Sequence, residues 1–256
     1  MPPVIQSYCV GHTPPVFTPP VAFTMLTPKA LGTDREIVID DHRFGDHIDG
    51  SSLAEYSQLF VLAHMLASGD VTADKLFLFQ YRKFLSPQRE AGVQANAPWV
   101  RVLRPGEAAQ AFPDQAMLAA MPSRLIVGSL QDLGNSISGN YALAHVADDL
   151  VMFSAACAAS GQVSPADIRS LATMHGIIPS PALCLTDADL FVRTMHILEA
   201  VWKEFSTHYH VRRDGYQRRV AGYLLERLHS VLLCKWLMEG TEPNIHLWQR
   251  YVVLPE

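Results

Sequence analysis

Short apolar runs of strand length alternate along the chain with longer segments in which apolar residues recur every three or four positions. The short runs predict buried strands, and they lie at 4–10, 75–79, 125–127, 182–186 and 250–254. The longer segments predict helices with one face in a core, and the main ones lie at 52–67, 141–159, 187–205 and 216–236. Strands that alternate with helices predict an α/β fold with a mixed central sheet and helices on both faces.

The segment 216–236 combines a broad apolar face with charged residues near one edge. Its leucines and valines recur at helical steps, which indicates a helix packed against a core. Arg219 and Glu226 are seven residues apart and project near one edge of that helix, with Arg227 beside them. Such charges either extend into water or contact a polar ligand, and the spacing alone leaves both interpretations open.

Polar residues follow two of the predicted strands at their carboxyl ends. Tyr81, Arg82 and Lys83 come shortly after the central strand, and in open α/β sheets this end is where ligands bind. Two cations there indicate an anionic ligand, of which phosphate is the commonest. Gly11 and His12 follow the first strand. A glycine turn lets a ligand approach the backbone, although one glycine is a weak signal.

A polar loop precedes the first long helix. It contains Asp41, Gly45 and Asp46, and it is either a solvated turn or a loop that orders around a nucleotide or a metal. The helix behind it begins with Ser52 and Glu55, whose spacing fits a capping box.

One pair of polar residues at helical spacing is also a candidate for chemistry. His145 and Asp149 lie four residues apart on one predicted helix, which fits a general-base pair. The same spacing fits a surface pair that stabilises the helix by about a few tenths of a kcal/mol. Asp187 and Asp189 open another predicted helix, and we interpret them as acids that complement its dipole.

Composition narrows the classes of protein that the chain can belong to. With 256 residues, 49% of them hydrophobic, the chain suits one large α/β domain or two small ones, and we expect a single domain over 1–256. The net charge of −5 argues against a nucleic-acid partner. The four cysteines never form CxxC, which argues for a reducing compartment. No apolar run reaches the roughly 18 residues of a membrane span, and no signal-peptide pattern opens the chain, so we expect a cytoplasmic protein.

Common catalytic motifs are absent from the sequence. It contains no nucleophile elbow, P-loop, Rossmann fingerprint, HExxH or EF-hand pattern. A Ser-His-Asp hydrolase is therefore disfavoured, and residue patterns by themselves do not name a function.

Five short pieces of the sequence, in order across nearly the whole chain, resemble one family. This family consists of short bacterial glycosyltransferase-like domains assigned to capsular polysaccharide synthesis. The pieces are Val10-Gly11-His12; 44–48 followed by Glu55; 78–84; Tyr141, His145, Asp149 and Leu150; and Tyr216, Gln217, Arg219, Gly222, Glu226, Arg227 and Leu228. Each piece alone is weak, whereas their shared order and spacing make the resemblance fairly specific.

The resemblance implies a GT-A-like enzyme that transfers a sugar from a nucleotide-sugar donor, with a UDP-sugar as the first candidate, to a glycan, glycolipid or small-molecule acceptor. It implies that Arg82 and Lys83 neutralise the leaving diphosphate, so that a divalent metal (Mn²⁺ or Mg²⁺) is possible but not required. Either Asp149 or Glu226 is then the general base, and His145 orients it. The remaining implied contacts go to the donor from Gly11, His12, Asp41, Gly45, Asp46, Tyr81 and Arg219, and to the acceptor from Tyr141 and Arg227.

The chain departs from the family pattern at several positions. Gln80 replaces a histidine, His47 an asparagine, and Lys83 an arginine, which keeps the charge but loses bidentate geometry. An alternative function is therefore a catalytically degenerate sugar- or nucleotide-binding partner in a polysaccharide assembly complex. A phosphate-ester hydrolase is a third candidate, weakened by the lack of a clustered acidic metal site. A lipid-linked acceptor would require at most peripheral membrane contact.

Overall fold

The computed structural model describes residues 3–39, 50–89, 91–95, 100–239 and 246–254. The strands are β1 (Ile5–Val10), β2 (Thr24–Thr27), β3 (Glu36–Val38), β4 (Lys75–Gln80), β5 (Lys83–Ser86), β6 (Val93–Gln94), β7 (Val100–Leu103), β8 (Leu125–Gly128), β9 (Gln131–Asp132), β10 (Gly176–Ile177), β11 (Cys184–Asp187) and β12 (His246–Val253). The helices are α1 (Gly50–Leu53), α2 (Tyr56–Ser68), α3 (Pro105–Ala111), α4 (Gln115–Ala120), α5 (Ile137–Ala144), α6 (Ala147–Ala159), α7 (Pro165–Thr173), α8 (Ala188–His208) and α9 (Val220–Glu239), with a 3-10 helix at Gly215–Arg219 before α9.

Apart from the short β9–β10 pair, the strands form one mixed sheet. Their order is β3-β2-β1-β4-β11-β8-β12-β7-β6, and β5 pairs with both β4 and β12. Strands β1 to β4 run parallel, β11 runs antiparallel to β4 and β8, and β12 runs parallel to β8 and β7. The predicted mixed central sheet is confirmed, and the carboxyl ends of β1 and β4 lie together at one edge.

Side chains on the two faces of the sheet belong to two separate hydrophobic clusters. In β4, Leu76 and Leu78 pack with α2, α6, α8 and α9. Phe77 and Phe79 point the other way and pack with α3, α4 and the proline-rich segment around Phe17. This alternation follows from the two-residue period of a strand. Helices therefore cover both faces of the sheet, as predicted.

Four predicted strands agree closely with the structure. The runs at 4–10, 75–79, 125–127 and 182–186 correspond to β1, β4, β8 and β11, with ends shifted by two residues or fewer. These runs are continuous and apolar because the strands lie in the interior of the sheet, where both faces are covered.

The predicted helix at 141–159 is wrong, because it is broken at His145. Helix α5 ends at Ala144, His145 has an extended backbone, and α6 begins at Ala147. Asp148 and Asp149 lie in the first turn of α6, where acids favour a helix start. His145 and Asp149 therefore do not share a helix face.

The predicted capping box at Ser52 is also wrong. Helix α1 ends at Leu53, and Ala54 has a left-handed backbone with φ +53°. Glu55 is the N-cap residue of α2 but makes no side-chain capping bond. The reversal at Ala54 therefore separates α1 from α2 just before Glu55.

Among the residues that the structure describes, no helix is both long enough and apolar enough to cross a membrane.

Candidate functional site

A polar cavity of about 460 Å³ lies at the carboxyl ends of β1 and β4. The two strands are parallel neighbours with Val10 opposite Gln80, so the residues that follow them meet at one edge of the sheet. The start of α2 and the start of α9 form the opposite wall. The polar lining residues are Gly11, His12, Glu55, Ser57, Gln58, Gln80, Tyr81, Arg82, Lys83, Ser180, Arg219, Tyr223 and Glu226.

The cationic side of the cavity is a tight hairpin between β4 and β5. Gln80 pairs with Lys83 across the turn formed by Tyr81 and Arg82. The carbonyl of Tyr81 accepts from the N–H of Val16 at 2.9 Å, and the carbonyl of Arg82 accepts from the N–H of Val253 at 2.8 Å. Backbone hydrogen bonds from two other segments thus fix the turn that carries Arg82.

Arg82 has hydrogen-bonding capacity that the described residues leave unused. Its guanidinium carbon lies 5.4 Å from the ring centre of Tyr81. Its Nε is buried and has no hydrogen-bond partner within the described part of the chain. An unsatisfied buried donor is unfavourable, so this N–H is suited to an acceptor oxygen on a ligand.

The turn after β1 forms the floor of the cavity. The N–H of Gly11 donates to the carbonyl of Leu26 at 3.0 Å. The Gln58 amide donates to the carbonyls of Gly11 and Leu26 at 3.0 and 2.7 Å, which ties α2 to the turn. The exposed His12 ring lies 5.6 Å from the ring of Tyr81.

Two carboxylates face these cations. Oε1 of Glu226 accepts a hydrogen bond from the N–H of Ser180 at 3.0 Å. Burial and then the charge of Glu226 raise the pKa of Glu55, whereas a hydrogen bond from its own main-chain N–H and the charges of Lys83 and Arg219 lower it. The groups are therefore close enough to influence one another's protonation.

The pKa values of two nearby cations, Lys83 and Arg250, are lowered mainly by burial. Burial lowers the pKa of Lys83; the charges of Arg250 and Arg82 add to this, whereas Glu55 and Glu226 oppose it. Burial lowers the pKa of Arg250 to about 10, and Glu226 opposes the shift. Arg250 therefore remains cationic at neutral pH.

Asp149 lies outside the lining of the cavity and is engaged by another residue. Its side chain is 1% exposed, and Arg213 donates to it from Nη2 at 2.8 Å and from Nε at 3.3 Å. Both carboxylate oxygens of Asp149 are thus engaged by one guanidinium. The geometry favours a structural role for this pair.

Tyr141, His145 and Arg227 lie in a layer beside the cavity. The Tyr141 ring is buried and packs against His145 at 4.6 Å between ring centres. The Arg227 guanidinium lies 4.8 Å from the centre of the Tyr141 ring and donates to the carbonyl of Tyr223 at 2.9 Å. These three residues adjoin the cavity without lining it.

A comparison with solved structures found a protein of similar architecture. The chain superimposes on the apo structure of the bifunctional glycosyltransferase WbbM with a TM-score of 0.78, at 14% sequence identity. The fold is similar to that of a glycosyltransferase. The match covers 98% of this chain and 45% of the WbbM chain, so the chain spans less than half the length of that protein. No family model and no curated protein matched the sequence.

Seven of the residues that the sequence singled out meet in this one cavity of the glycosyltransferase-like fold. They are Gly11, His12, Tyr81, Arg82, Lys83, Arg219 and Glu226. Tyr141, His145, Asp149 and Arg227 do not line it. Asp41, Gly45 and Asp46 lie outside the described residues, and their predicted donor contacts stay predictions.

Sequence reasoning missed several lining residues. Glu55 was interpreted as part of a capping box, although its carboxylate faces the cavity. Gly222 was named for the family resemblance but was given no site role, and Tyr223 was not named. They follow Arg219 by three and four residues, so helical spacing could have placed both on the same face. Gln58 and Ser180 gave no recognisable signal.

A metal site is not identified in the described part of the chain. No group of three or more His, Cys, Asp or Glu side chains there is arranged to hold a metal ion. The acidic segment at 40–46 lies outside the described residues, so metal dependence stays a prediction.

A larger cavity of about 820 Å³ lies at the opposite end of β1 and β4. Its lining, mostly apolar, includes Val4, Asp74 and Ala188 and none of the residues that the sequence predicted for a site. The smaller cavity is the better candidate, because polar groups of both charges converge on it.

Proposed function

We propose that the chain is a glycosyltransferase that moves a sugar from a nucleotide-sugar donor, in the first place a UDP-sugar, to a glycan, glycolipid or small-molecule acceptor. The observation that carries the proposal is the meeting of Arg82, Lys83 and Arg219 with two carboxylates in one cavity. The likeness of the fold to a glycosyltransferase supports it. The cavity also lies at the carboxyl edge of parallel strands, where α/β proteins bind nucleotides.

The cations are suited to the diphosphate of the donor. Negative charge develops on the leaving diphosphate as the sugar departs, and fixed cations stabilise that charge. The buried Nε of Arg82, which lacks a partner among the described residues, can donate to a phosphate oxygen. Lys83 and Arg219 supply further charge from opposite walls of the cavity. In this proposal the three cations make a divalent metal dispensable.

The aromatic pair beside the turn of the hairpin is suited to the nucleoside. His12 and Tyr81 lie against each other beside the Gly11 turn. A planar base can stack on such rings while its phosphates extend towards Arg82 and Lys83. This arrangement directs the donor sugar towards the carboxylates.

Glu55 is the general base in this proposal. The acceptor oxygen forms a bond to the anomeric carbon, its proton passes to the Glu55 carboxylate, and the nucleoside diphosphate leaves with the electron pair of the broken C–O bond. A carboxylate with a raised pKa accepts a proton more readily near neutral pH, and Glu226 contributes to that rise. Glu226 as the base, which the resemblance implied, is the competing assignment.

Nucleotide binding and turnover test the proposal together. Thermal unfolding is measured with UDP, GDP, CDP, ADP and their sugars, each with and without Mn²⁺. A ligand at about 100 times its Kd adds about 2.7 kcal/mol to the free energy of unfolding. We expect one nucleotide class to raise Tm without metal and its sugar to be turned over.

The outcomes separate the candidate functions. A rise in Tm only with Mn²⁺ would contradict the metal-independent site and direct attention to the segment 40–46. Binding without turnover of any donor would favour the degenerate binding partner. No effect of any nucleotide, with or without metal, would contradict the proposed function.

A further inference from the structure

An aromatic cluster adjoins the cavity on the side of α9. It consists of Tyr141, His145, Tyr216 and Tyr223. The His145 ring lies 4.3 Å from Tyr223 and 5.8 Å from Tyr216, with interplanar angles of 29° and 6°. Tyr216 and Tyr223 lie 5.1 Å apart. The rings are thus in mutual contact from a buried base at Tyr141 to an outer ring at Tyr216.

The outer ring is exposed and yet held in place. Tyr216 is 65% exposed, and the 3-10 helix that carries it is bound to the end of α5. The Gln217 amide donates to the carbonyl of Ala144 at 2.9 Å, and Nδ1–H of His145 donates to Oε1 of Gln217 at 3.2 Å. Burial lowers the pKa of His145, so its ring is neutral at pH 7 and stacks without a charge.

One arginine contacts each of two inner rings, Tyr141 and Tyr223. The Arg227 guanidinium lies 4.8 Å from the Tyr141 ring centre, and that of Arg219 lies 5.8 Å from the Tyr223 ring centre. Cation–π contacts of this kind restrict the rings that they cover. Among the described residues no cation covers the outer face of the Tyr216 ring, and this face is open to a ligand.

The cluster reaches the carboxylates of the cavity. Tyr223 lines the cavity and lies three residues before Glu226 on α9. A ligand on Tyr216 and Tyr223 would therefore lie beside Glu226 and Glu55, on the opposite wall from the His12 and Tyr81 rings. That is the side from which an acceptor hydroxyl must approach if the donor occupies the hairpin.

We propose that Tyr216 and Tyr223 form the acceptor subsite and bind a sugar ring through its apolar C–H face. This inference rests on the proposed glycosyltransferase function. The C–H groups on one face of a pyranose carry a small positive charge and pack well on the negative face of an aromatic ring. Tyr141, His145 and Arg227 then act beneath the subsite as positioning residues and do not touch the sugar.

The test measures glycoside binding to the intact chain by saturation-transfer NMR. The probes are the methyl pyranosides of galactose, glucose, mannose and rhamnose, each with saturating UDP, and uridine alone as a separate probe. The variants are Tyr216→Ala, Tyr216→Phe, and Met238→Ala, an exposed control at the far end of α9. Tm of each variant checks folding, and UDP binding is measured separately by calorimetry.

We expect at least one glycoside to bind, with its ring C–H protons receiving the saturation. Tyr216→Ala should weaken that binding by about fivefold or more, whereas Tyr216→Phe and Met238→Ala should leave it within about twofold. UDP affinity should be the same in all variants.

Three results would overturn the inference. Equal glycoside binding by Tyr216→Ala and the unaltered chain would show that the Tyr216 ring does not belong to the subsite. Tyr216-dependent binding of uridine but of no glycoside would assign the rings to the nucleobase. A lack of any glycoside binding in a chain that binds UDP would reject the subsite and leave the proposed function intact, whereas a lack of binding by UDP and by every other nucleotide of the thermal screen would reject both.

Discussion

The main-chain N–H of Ser180 donates a hydrogen bond to the carboxylate of Glu226. Ser180 has a left-handed backbone with φ +52°, and Nη1 of Arg250 donates to its hydroxyl at 3.2 Å. The loop before β11 and the strand β12 thus hold the negative charge of Glu226 at a fixed place beside Glu55. This charge is one of the two causes that raise the pKa of Glu55.

The first prediction separates the roles of the two carboxylates. Glu55→Gln should lower kcat by about 10² or more, because it removes the proton acceptor. In the unaltered enzyme, activity should fall as the pH drops through the raised pKa of Glu55. Glu226→Gln should keep measurable activity and move that acid limb to lower pH, since it removes a charge that raises the pKa. Loss of all activity in Glu226→Gln, with Glu55→Gln active, would identify Glu226 as the base.

The second prediction concerns stability and the same carboxyl group. Because the pKa of Glu55 is higher in the folded state than its ordinary value of 4.5, the folded state binds the proton more tightly. Its contribution to the free energy of unfolding should therefore increase as the pH falls from the raised pKa towards 4.5, and fall again as the pH rises. Urea unfolding at several pH values should show this slope, and Glu55→Gln should lack it. An identical slope in the variant would contradict the shift.

The third prediction tests the cationic hairpin. Arg82→Ala should reduce kcat by about 10²-fold or more, because a fixed donor to the leaving diphosphate is lost. It should also abolish the rise in Tm caused by the nucleotide. The matched control is Arg89→Ala, an exposed arginine beyond the end of β5 that does not line the cavity. Transfer at the normal rate by Arg82→Ala would show that the leaving group is stabilised elsewhere.

The strand β4 and the positive charge at its end could be predicted from the sequence because their signal is local. An apolar run that is followed, after Gln80, by Tyr81, Arg82 and Lys83 predicts a buried strand with positive charge at its end. The parallel register of β1 and β4 then brings Gly11 and His12 to the same edge. Residue type was enough to single out these candidates in this half of the cavity, whereas the strand order that brings them together is known only from the structure.

The other half depends on contacts between residues that are far apart in the chain. Arg213 reaches Asp149 across 64 positions, and no periodicity of either segment indicates this pairing. The placement of Glu55 depends on the positive φ of Ala54, which a pattern that fits a capping box does not reveal. Tertiary packing overrides the local preference in both places.

The fourth prediction tests whether Asp149 is structural. Asp149→Asn should keep kcat within about threefold, because the residue does not line the cavity. It should lower the free energy of unfolding by about 2 kcal/mol, since the 25% exposed Arg213 loses a buried charged partner. The control is Asp148→Asn. Because this side chain is exposed, the substitution should change the free energy of unfolding by no more than about 0.5 kcal/mol. A large loss of kcat with unchanged stability would restore Asp149 as the base.

The fifth prediction concerns the contact between α9 and the turn that places Glu55. A Cβ added at Gly222 would lie 3.1 Å from the Cβ of Ala54, which is too close for an atom held by a left-handed backbone. Alanine is favoured over glycine by about 1 kcal/mol within a helix. We therefore expect Gly222→Ala to lower the free energy of unfolding by about 1 to 2 kcal/mol, and such a loss would show that the added Cβ clashes with Ala54. The value of kcat should also fall, because the displaced turn carries Glu55.

The double variant makes this prediction decisive. Ala54→Gly removes the atom that clashes and suits the φ of +53°, so it should have little effect alone. Combined with Gly222→Ala, it leaves the Leu53 carbonyl oxygen as the nearest neighbour at 3.5 Å, an ordinary contact. The double variant should regain both stability and kcat, with a coupling energy of about 1 kcal/mol in urea unfolding. Simple addition of the two single effects would show that the turn moves freely and that α9 does not fix the position of Glu55.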